Sequence, residues 1–436
     1  MFVHDLIGIG FGPSNIALAI ALEEQRQAGQ AFNAVFIEKQ PVFAWHKDML
    51  LEHAHMQISF LKDLVTLRNP LSRFTFVNYL HEKQRLPDFI NLKTFFPGRH
   101  EFNDYLAWAA AQFEPQCAYG ETVFEVLPEQ RGAEVTLLRV RSRNAQGEIR
   151  ERLTRNLVVS PGGTARVPDC FRALRDEPRV FHSSTYLRGI ERNQHARKVA
   201  VLGAGQSAAE IFMDLHGRGM ALDFIMRART IKPADDSPFS NQIFDADFVD
   251  HVYHRTQNER DELLREFWHT NYACPDLELI QHIFKVFYQQ RVTGQARHQL
   301  LRQHQVTAAH ATAQGVDLTL LDQTTQTARV ERYDAVVLAT GYERAQHKTL
   351  LEPLAPWLQR FETDRRYRIK ASAGFQPGVY LQGACETSHG LSDTLLSITA
   401  VRSGEICAAL LQGHAARTLG ERDTQAKNAG AMVSIT

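Results

Sequence analysis

The chain has 436 residues, enough for two or three domains with sizeable cores. Its 49 basic and 49 acidic side chains cancel, so no overall field favours nucleic acid or an anionic membrane. Five scattered cysteines (Cys117, Cys170, Cys274, Cys385 and Cys407) contain no Cys-x-x-Cys pair. That argues against a zinc ribbon, a disulfide framework and the redox disulfide of thiol reductases. No metal site is expected from the nineteen histidines.

In chain order, the first apolar run leads into a glycine-rich turn, Asp5-Leu-Ile-Gly-Ile-Gly-Phe-Gly-Pro-Ser-Asn15. It reads as a strand, a tight turn and a helix start, which together hold a dinucleotide pyrophosphate against backbone N–H groups. Residues 6–22 lack charge, but three glycines, Pro13 and Asn15 make them a strand–turn–helix and a poor membrane span. No basic region precedes them, so a signal peptide is not expected. Ala34-Val-Phe-Ile-Glu-Lys39 follows as a buried strand ending in an acid. Glu38 is placed to accept hydrogen bonds from ribose hydroxyls, as in FAD or NAD sites. Gly8, Gly10, Gly12, Pro13, Ser14, Glu38 and Lys39 are therefore the first set of candidate nucleotide contacts, assigned to FAD.

An aromatic-rich segment comes next, with Trp45, Phe60, Phe95, Phe96, Tyr105 and Trp108. Helices are predicted over Phe74 to Lys83 and Glu101 to Phe113, with turns at Asn69-Pro70 and Pro97-Gly98. Alternating runs at Glu121–Leu127 and Glu134–Ser142 predict a small antiparallel sheet. Leu157-Val-Val-Ser-Pro-Gly-Gly163 is a strand ending in a turn.

The second glycine-rich turn is Lys198-Val-Ala-Val-Leu-Gly-Ala-Gly-Gln-Ser-Ala208, with Gly203, Gly205, Gln206 and Ser207 as candidate contacts. Its following strand, Leu222 to Arg229, puts Arg227 and Arg229 where the first unit has Glu38. A guanidinium there suits a 2′-phosphate that a carboxylate would repel, so this unit reads as an NADPH site. The plainer alternative is two βαβ units whose strand-end charges are only solvated. Two dinucleotides in one chain imply electron transfer between a nicotinamide and a flavin. Tyr333 to Tyr342 is a further strand stopping at Gly341, where Thr340 and Gly341 are expected to approach FAD. Gly378 to Gly383 reads as a strand and Leu391 to Ala409 as a helix. The fold class is thus α/β with two Rossmann-like domains and a small substrate-binding helical portion. The expected boundaries are 1–165 (FAD domain, first part), 195–330 (inserted NADPH domain), 331–415 (FAD domain resumed, with substrate contacts) and 416–436 (flexible tail).

Several longer motifs carry a resemblance: Gln57-Ile-Ser-Phe-Leu-Lys-Asp-Leu-Val65, Arg68-Asn-Pro70, Phe76-Val-Asn-Tyr-Leu80, Lys232-Pro-Ala-Asp-Asp-Ser-Pro-Phe239, His269-Thr-Asn-Tyr272 and Ser388-His-Gly-Leu-Ser-Asp-Thr-Leu-Leu-Ser397. With both glycine turns, these resemble the flavin-dependent N-hydroxylating monooxygenases. Within them the chain is similar to the bacterial ornithine hydroxylases of siderophore biosynthesis. Phe181-His-Ser-Ser-Thr-Tyr186 resembles a reduced form of the linker motif of flavin monooxygenases. Pro13, where a Rossmann turn usually has its third glycine, is this family's own habit.

The resemblance implies hydroxylation of the δ-amine of L-ornithine by NADPH and O2 through a flavin hydroperoxide, with FAD and NADPH as cofactors. Its alternatives are lysine or a diamine as substrate, or another class of flavin monooxygenase. An alkyl ammonium has a pKa near 10.4, so about one amine in a thousand or fewer is reactive at pH 7, and burial raises that fraction. No general base or other catalytic side chain is expected.

By resemblance, Lys62 binds the substrate carboxylate, Asn241 and Asn271 hold the α-amino and carboxylate groups, and Gln57 lies near flavin and substrate. Leu391 contributes backbone to the substrate amine. Trp45 and His46 are expected to pack on the flavin, with plain core packing as the alternative for Trp45, and Ser392 and Asp393, at an expected helix start, to meet its ribityl chain or ring edge. Read without the resemblance, Lys62 would pair with Asp63 or another acid, and both asparagines would be turn residues. No nucleic acid or transmembrane segment is expected, and the location is cytoplasmic. The resemblance leaves open association at the inner membrane and, because relatives are often tetramers, a homotetramer.

Overall fold

The computed structural model describes residues 2–30 and 32–433, with side chains as far as Arg417. Ten strands build two parallel sheets. In chain order they are β1 (Leu6–Ile9), β2 (Ala34–Glu38), β3 (Cys117–Tyr119), β4 (Asn156–Val159), β5 (Val180–His182), β6 (Lys198–Leu202), β7 (Ala221–Ile225), β8 (His298–Leu301), β9 (Ala335–Leu338) and β10 (Gly378–Leu381). The first sheet has the order β10-β4-β1-β2-β3 and the second β5-β9-β6-β7-β8. Strands β1, β4, β9 and β10 are buried along their whole length, as parallel strands covered on both faces must be. The α/β class with two Rossmann-like units is the architecture found.

The two units repeat each other atom for atom at their turns. Gly10 N–H donates to Ile37 O at 2.8 Å, and Gly203 N–H to Ile225 O at 3.0 Å. Ser160 N–H donates to Ile9 O at 2.9 Å, and Ala339 N–H to Leu202 O at 2.8 Å. Both glycines have positive φ, +82° and +148°. A Cβ on Gly10 would lie 2.5 Å from Ser160 O, and one on Gly203 2.4 Å from Ala339 O. Beyond the turns run α1 (Pro13–Gln27) and α2 (Gln206–Gly217). Further on come α3 (Leu277–Thr293) and α4 (Thr399–Val433), the last packing on α1.

Each unit carries an antiparallel sheet. In the first, Glu121–Arg131 pairs with Glu134–Asn144, which pairs with Ile149–Thr154. In the second, His304–Thr312, Gly315–Asp322 and Ala328–Tyr333 form a meander. The predicted helices appear as Phe76–Glu82 and Arg99–Ala111.

The strand from Tyr333 to Tyr342, expected to begin the resumed FAD domain, belongs elsewhere. Its core, β9, lies between β5 and β6 in the second sheet. The boundary expectation of 195–330 is therefore too narrow at both ends, because β5 and β9 complete that sheet. The cause is topological: which strands a buried strand pairs with is set by the chain's path, and periodicity does not name them. The helix expected from Leu391 begins at Thr399 instead. Before it stand two 3-10 turns, Leu391–Thr394 and Leu396–Ile398, separated by extended backbone at Leu395. Residues 416–433, expected as a flexible tail, continue α4, while 434–436 lie outside the described residues.

The core of the second unit is not made from that unit alone. Met49, Leu51 and Ala54 of the first unit join Phe181, Tyr186, Val199, Phe212 and Val337 in one buried cluster. Among the described residues no helix is long and apolar enough to cross a membrane. Gly10→Ala or Gly203→Ala is expected to cost about 2 kcal/mol or more, through overlap with a carbonyl and left-handed strain. Gly12→Ala is expected to cost under about 0.5 kcal/mol, because its Cβ would meet nothing within 4 Å. Denaturant unfolding of the three variants tests the contrast.

Candidate active site

At the first turn, Gly8 sits inside β1, while Gly12 takes extended backbone and caps α1 with no side-chain hydrogen bond. Pro13 is the first helical residue, where a missing N–H costs nothing. The helix start thus faces open space with its positive end free, which fits a pyrophosphate. Glu38 is buried at the end of β2. Its carboxylate accepts the Phe11 N–H at 2.7 Å and the Gln40 N–H at 2.8 Å, leaving acceptor capacity for ribose hydroxyls. Lys39 is exposed. Trp45 packs on His46 at 4.8 Å and on Phe102 at 5.8 Å. His46 keeps an exposed face; desolvation by the surrounding protein, with the Arg99 and Arg344 cations nearby, lowers its pKa to about 4.

Asp393 is not free to meet a flavin. Its carboxylate is fully buried, 3.0 Å from Arg402 Nη1, and accepts the Cys385 N–H at 2.6 Å. Arg402 is only 2% exposed and donates its other arm to Ser14 Oγ at 2.9 Å. One buried guanidinium therefore ties the Leu391–Thr394 turn, through Asp393, to the first glycine turn. Ser392 and Leu391 are buried in that same turn.

The second turn opens into a cleft of about 1220 Å³ lined by residues 203–208, Met226, Arg227, Asn271, Tyr272, residues 340–344 and Glu386, among others. Strand register puts Met226 in the position of Glu38 and Arg227 one residue beyond it. Arg227 lines the cleft, whereas Arg229 is exposed and not part of its lining. Ser207 lines the wall at the start of α2. The Gln206 side chain is already engaged: its amide N–H donates to Glu210 at 2.9 Å and Asp276 at 2.8 Å, and its oxygen accepts the Asp276 N–H at 3.0 Å. Only its backbone is left to face a pyrophosphate.

Thr340 and Gly341, expected beside FAD, stand on this second cleft. The Thr340 hydroxyl donates to Arg166 O, and Gly341 O meets His182 Nε2 at 3.0 Å. The reason is again β9, which ends at the second turn and not the first.

Of the expected substrate residues, Lys62 faces the Ser240–Phe244 turn that carries Asn241: its Nζ is 3.8 Å from Asp245 Oδ1, just past that turn. The same turn packs against Leu391–Thr394. Asp63 does not compete for Lys62; it points inward and accepts from the backbone of Val65, Thr66 and Phe76. Asn241 donates to Asp236 O at 2.8 Å. Asn271 lies on the cleft wall beside Tyr272, whose hydroxyl donates to Glu386. Gln57 is exposed next to the buried Met56. The segments carrying Lys62, Asn241 and Leu391 are thus neighbours, whereas Asn271 lines the nucleotide cleft.

Residues absent from the sequence reading join the two halves. Arg99 grips Glu210 with both arms, at 2.9 and 2.7 Å, with both side chains largely buried. Arg188 likewise pairs with buried Asp48. A hint of Arg402 was in the sequence, a lone cation in the apolar stretch of α4. For Arg99 and Glu210, 111 positions apart, no local signal exists.

Among the described residues no cluster of His, Cys, Asp and Glu has metal-binding geometry. Two helix starts aimed at open space, one beside an acid and one beside Arg227, define a two-dinucleotide oxidoreductase. The model of the L-lysine 6-monooxygenase/L-ornithine 5-monooxygenase family matches residues 2–344, and the chain belongs to this family. It is 51% identical to the L-ornithine N(5)-monooxygenase of Pseudomonas aeruginosa, over 96% of this chain and 97% of that one. The solved ornithine hydroxylase of Pseudomonas aeruginosa superposes with a TM-score of 0.91 at 52% identity, covering 94% of this chain and 100% of that one. The Kutzneria sp. 744 ornithine N-hydroxylase, solved with reduced FAD, NADP+ and L-ornithine, gives a TM-score of 0.89 at 36% identity, covering 94% and 99%.

Three buried histidines contribute to the response of this assembly to acid. Burial is the largest cause that lowers the pKa of His182, His298 and His389 to about 4, against about 6.5 in the unfolded chain. Between pH 6.5 and 4 the unfolded state binds more protons, so stability falls as pH falls through that window. Thermal unfolding is expected to be flat from pH 8 to 7 as far as these groups act, then to lose roughly 10 °C by pH 4.5. Replacing His389 with Gln is expected to flatten part of that slope.

Proposed function

We propose that the chain is an L-ornithine N5-monooxygenase that uses FAD, NADPH and O2 and supplies N-hydroxyornithine for hydroxamate siderophores. The observation that carries this reading is Lys62, a cation beside the end of the Asn241 turn, which itself packs on the Leu391 turn, in a family whose relatives are named for ornithine. When bound, FAD reduced by NADPH would supply the activation of dioxygen, one oxygen atom going to the amine and the other to water.

The protein's part is placement and dryness. Gly10, Gly12, Pro13, Ser14 and Glu38 hold the FAD end, with Trp45 and His46 packing beside the ring. Gly203, Gly205, Ser207 and Arg227 hold NADPH, Arg227 facing the 2′-phosphate. Lys62 takes the α-carboxylate, and Asn241 and Asn271 complete the hold on the amino-acid end. Fixing that end presents the δ-nitrogen at one position and turns an encounter into an oriented reaction. Five free cysteines without disulfides suit a reducing cytoplasm.

Lysine is the second reading, supported by the family's double description. One methylene is worth about 1–3 kcal/mol of discrimination, so the choice is made by anchoring distance rather than by chemistry. A carboxylate-binding lysine gives a diamine nothing to offer it.

Hydroxylated product should be measured against NADPH consumed with ornithine, lysine, putrescine and cadaverine in parallel. Near one-to-one coupling is expected with ornithine, and NADPH oxidation yielding only peroxide with all four would reject the substrate assignment. Lys62→Ala is expected to raise the ornithine KM at least tenfold while leaving flavin reduction by NADPH within about twofold. An unchanged KM would remove the anchor role.

A further inference from the structure

Asp245 is the one acid paired with Lys62 among the described residues. Their separation, 3.8 Å between Nζ and Oδ1, is too long for a hydrogen bond. Neither group has spent its hydrogen-bonding capacity on the other. Lys62 is 26% and Asp245 58% exposed at the side chain, so both can be reached by a small solute. They come from different segments. Lys62 is held by its N–H to Ser59 O at 2.9 Å. Asp245 closes the Ser240–Phe244 turn through its N–H to Gln242 O at 3.1 Å, four residues after Asn241. That turn in turn packs on Leu391–Thr394.

An α-amino acid carries an ammonium and a carboxylate on one carbon. A cation and an anion held a few ångströms apart on separate segments match that dipole with the opposite polarity. We propose that Asp245 is a specificity-determining residue that receives the α-ammonium of the substrate while Lys62 receives its carboxylate. The ligand-free ion pair is the receptor in its resting form, and the zwitterion enters by exchanging one long contact for two short ones. This rests on the reading of Lys62 as the carboxylate anchor. The consequence is a preference built from charge rather than chain length. Substrates lacking either α-group lose one half of the hold, whereas the reacting amine at the far end is untouched.

The test uses the FAD-loaded enzyme, comparing wild type with Asp245→Asn and with Asp247→Asn, a neighbouring exposed acid that serves as the field control. Ornithine KM is expected to rise about tenfold in Asp245→Asn with kcat within twofold, and to stay within twofold in Asp247→Asn. The inhibition constant of 5-aminopentanoate against ornithine, a ligand without the α-ammonium, is expected to be the same in wild type and Asp245→Asn. An unchanged or lowered ornithine KM would overturn the proposal, the lowered value marking Asp245 as a competitor for Lys62. A 5-aminopentanoate constant that weakens in parallel would also overturn it, since Asp245 would then act only by orienting the lysine. Lys62→Ala separates the two levels: if that variant binds ornithine normally, the anchor reading itself has failed, whatever Asp245 does.

Discussion

Everything functional in this molecule hangs on a contact between a glycine and a carbonyl. At the end of β1 the chain must turn towards α1 while the end of β4 stands directly beside it, and Ser160 O occupies the space a Cβ on Gly10 would need. The same contact recurs between Gly203 and Ala339 O. Only this closeness lets the neighbouring strands diverge above the turn and leave a helix start uncovered, the crevice in which α/β sheets bind nucleotides. Two such crevices in one chain are what permit one cofactor to reduce another. The similarity of the hydrogen bonds around them, four distances within 0.2 Å of one another, shows one physical solution used twice.

Around this frame the protein places charge where it must not move. Arg402 and Asp393 are a buried ion pair, and such pairs are seldom a net source of stability because desolvation offsets the attraction. What this one supplies is alignment, since the guanidinium also reaches Ser14 and so sets the distance from the cofactor turn to the segment carrying Leu391. Arg99 and Glu210 perform a comparable service between the two units, and Glu210 passes the constraint on to Gln206 and Asp276.

The two turns, the acid Glu38 and the α/β class were legible because each depends on a short stretch of chain: a strand, two or three glycines and a helix start within fifteen residues. Lys62 was legible in a different sense, as a charge in an apolar run that demands a partner. Asp245 as that partner was not, since 183 positions separate them and no local pattern selects one acid over another. The assignments that shifted did so for the same reason. Thr340 and Gly341 end a strand that looks alike in either sheet, and its neighbours decide which glycine turn they stand beside. Asp393 looked like a helix-start acid aimed at a ligand, but Arg402, nine residues on, had already claimed it.

The three apolar residues that the first unit lends to the second carry a consequence for how the chain holds together. Met49, Leu51 and Ala54 lie in the same buried cluster as one face of the nucleotide unit they touch, while the other face of that unit's sheet has an apolar cluster of its own, around Val316, Leu318, Tyr333 and Val336. The customary picture of two beads on a string, each melting at its own temperature, does not suit such a molecule. Loosening the loop from Lys47 to Ala54 uncovers apolar surface on both sides of the joint at once. The shared cluster thus makes burial at the joint common to both units.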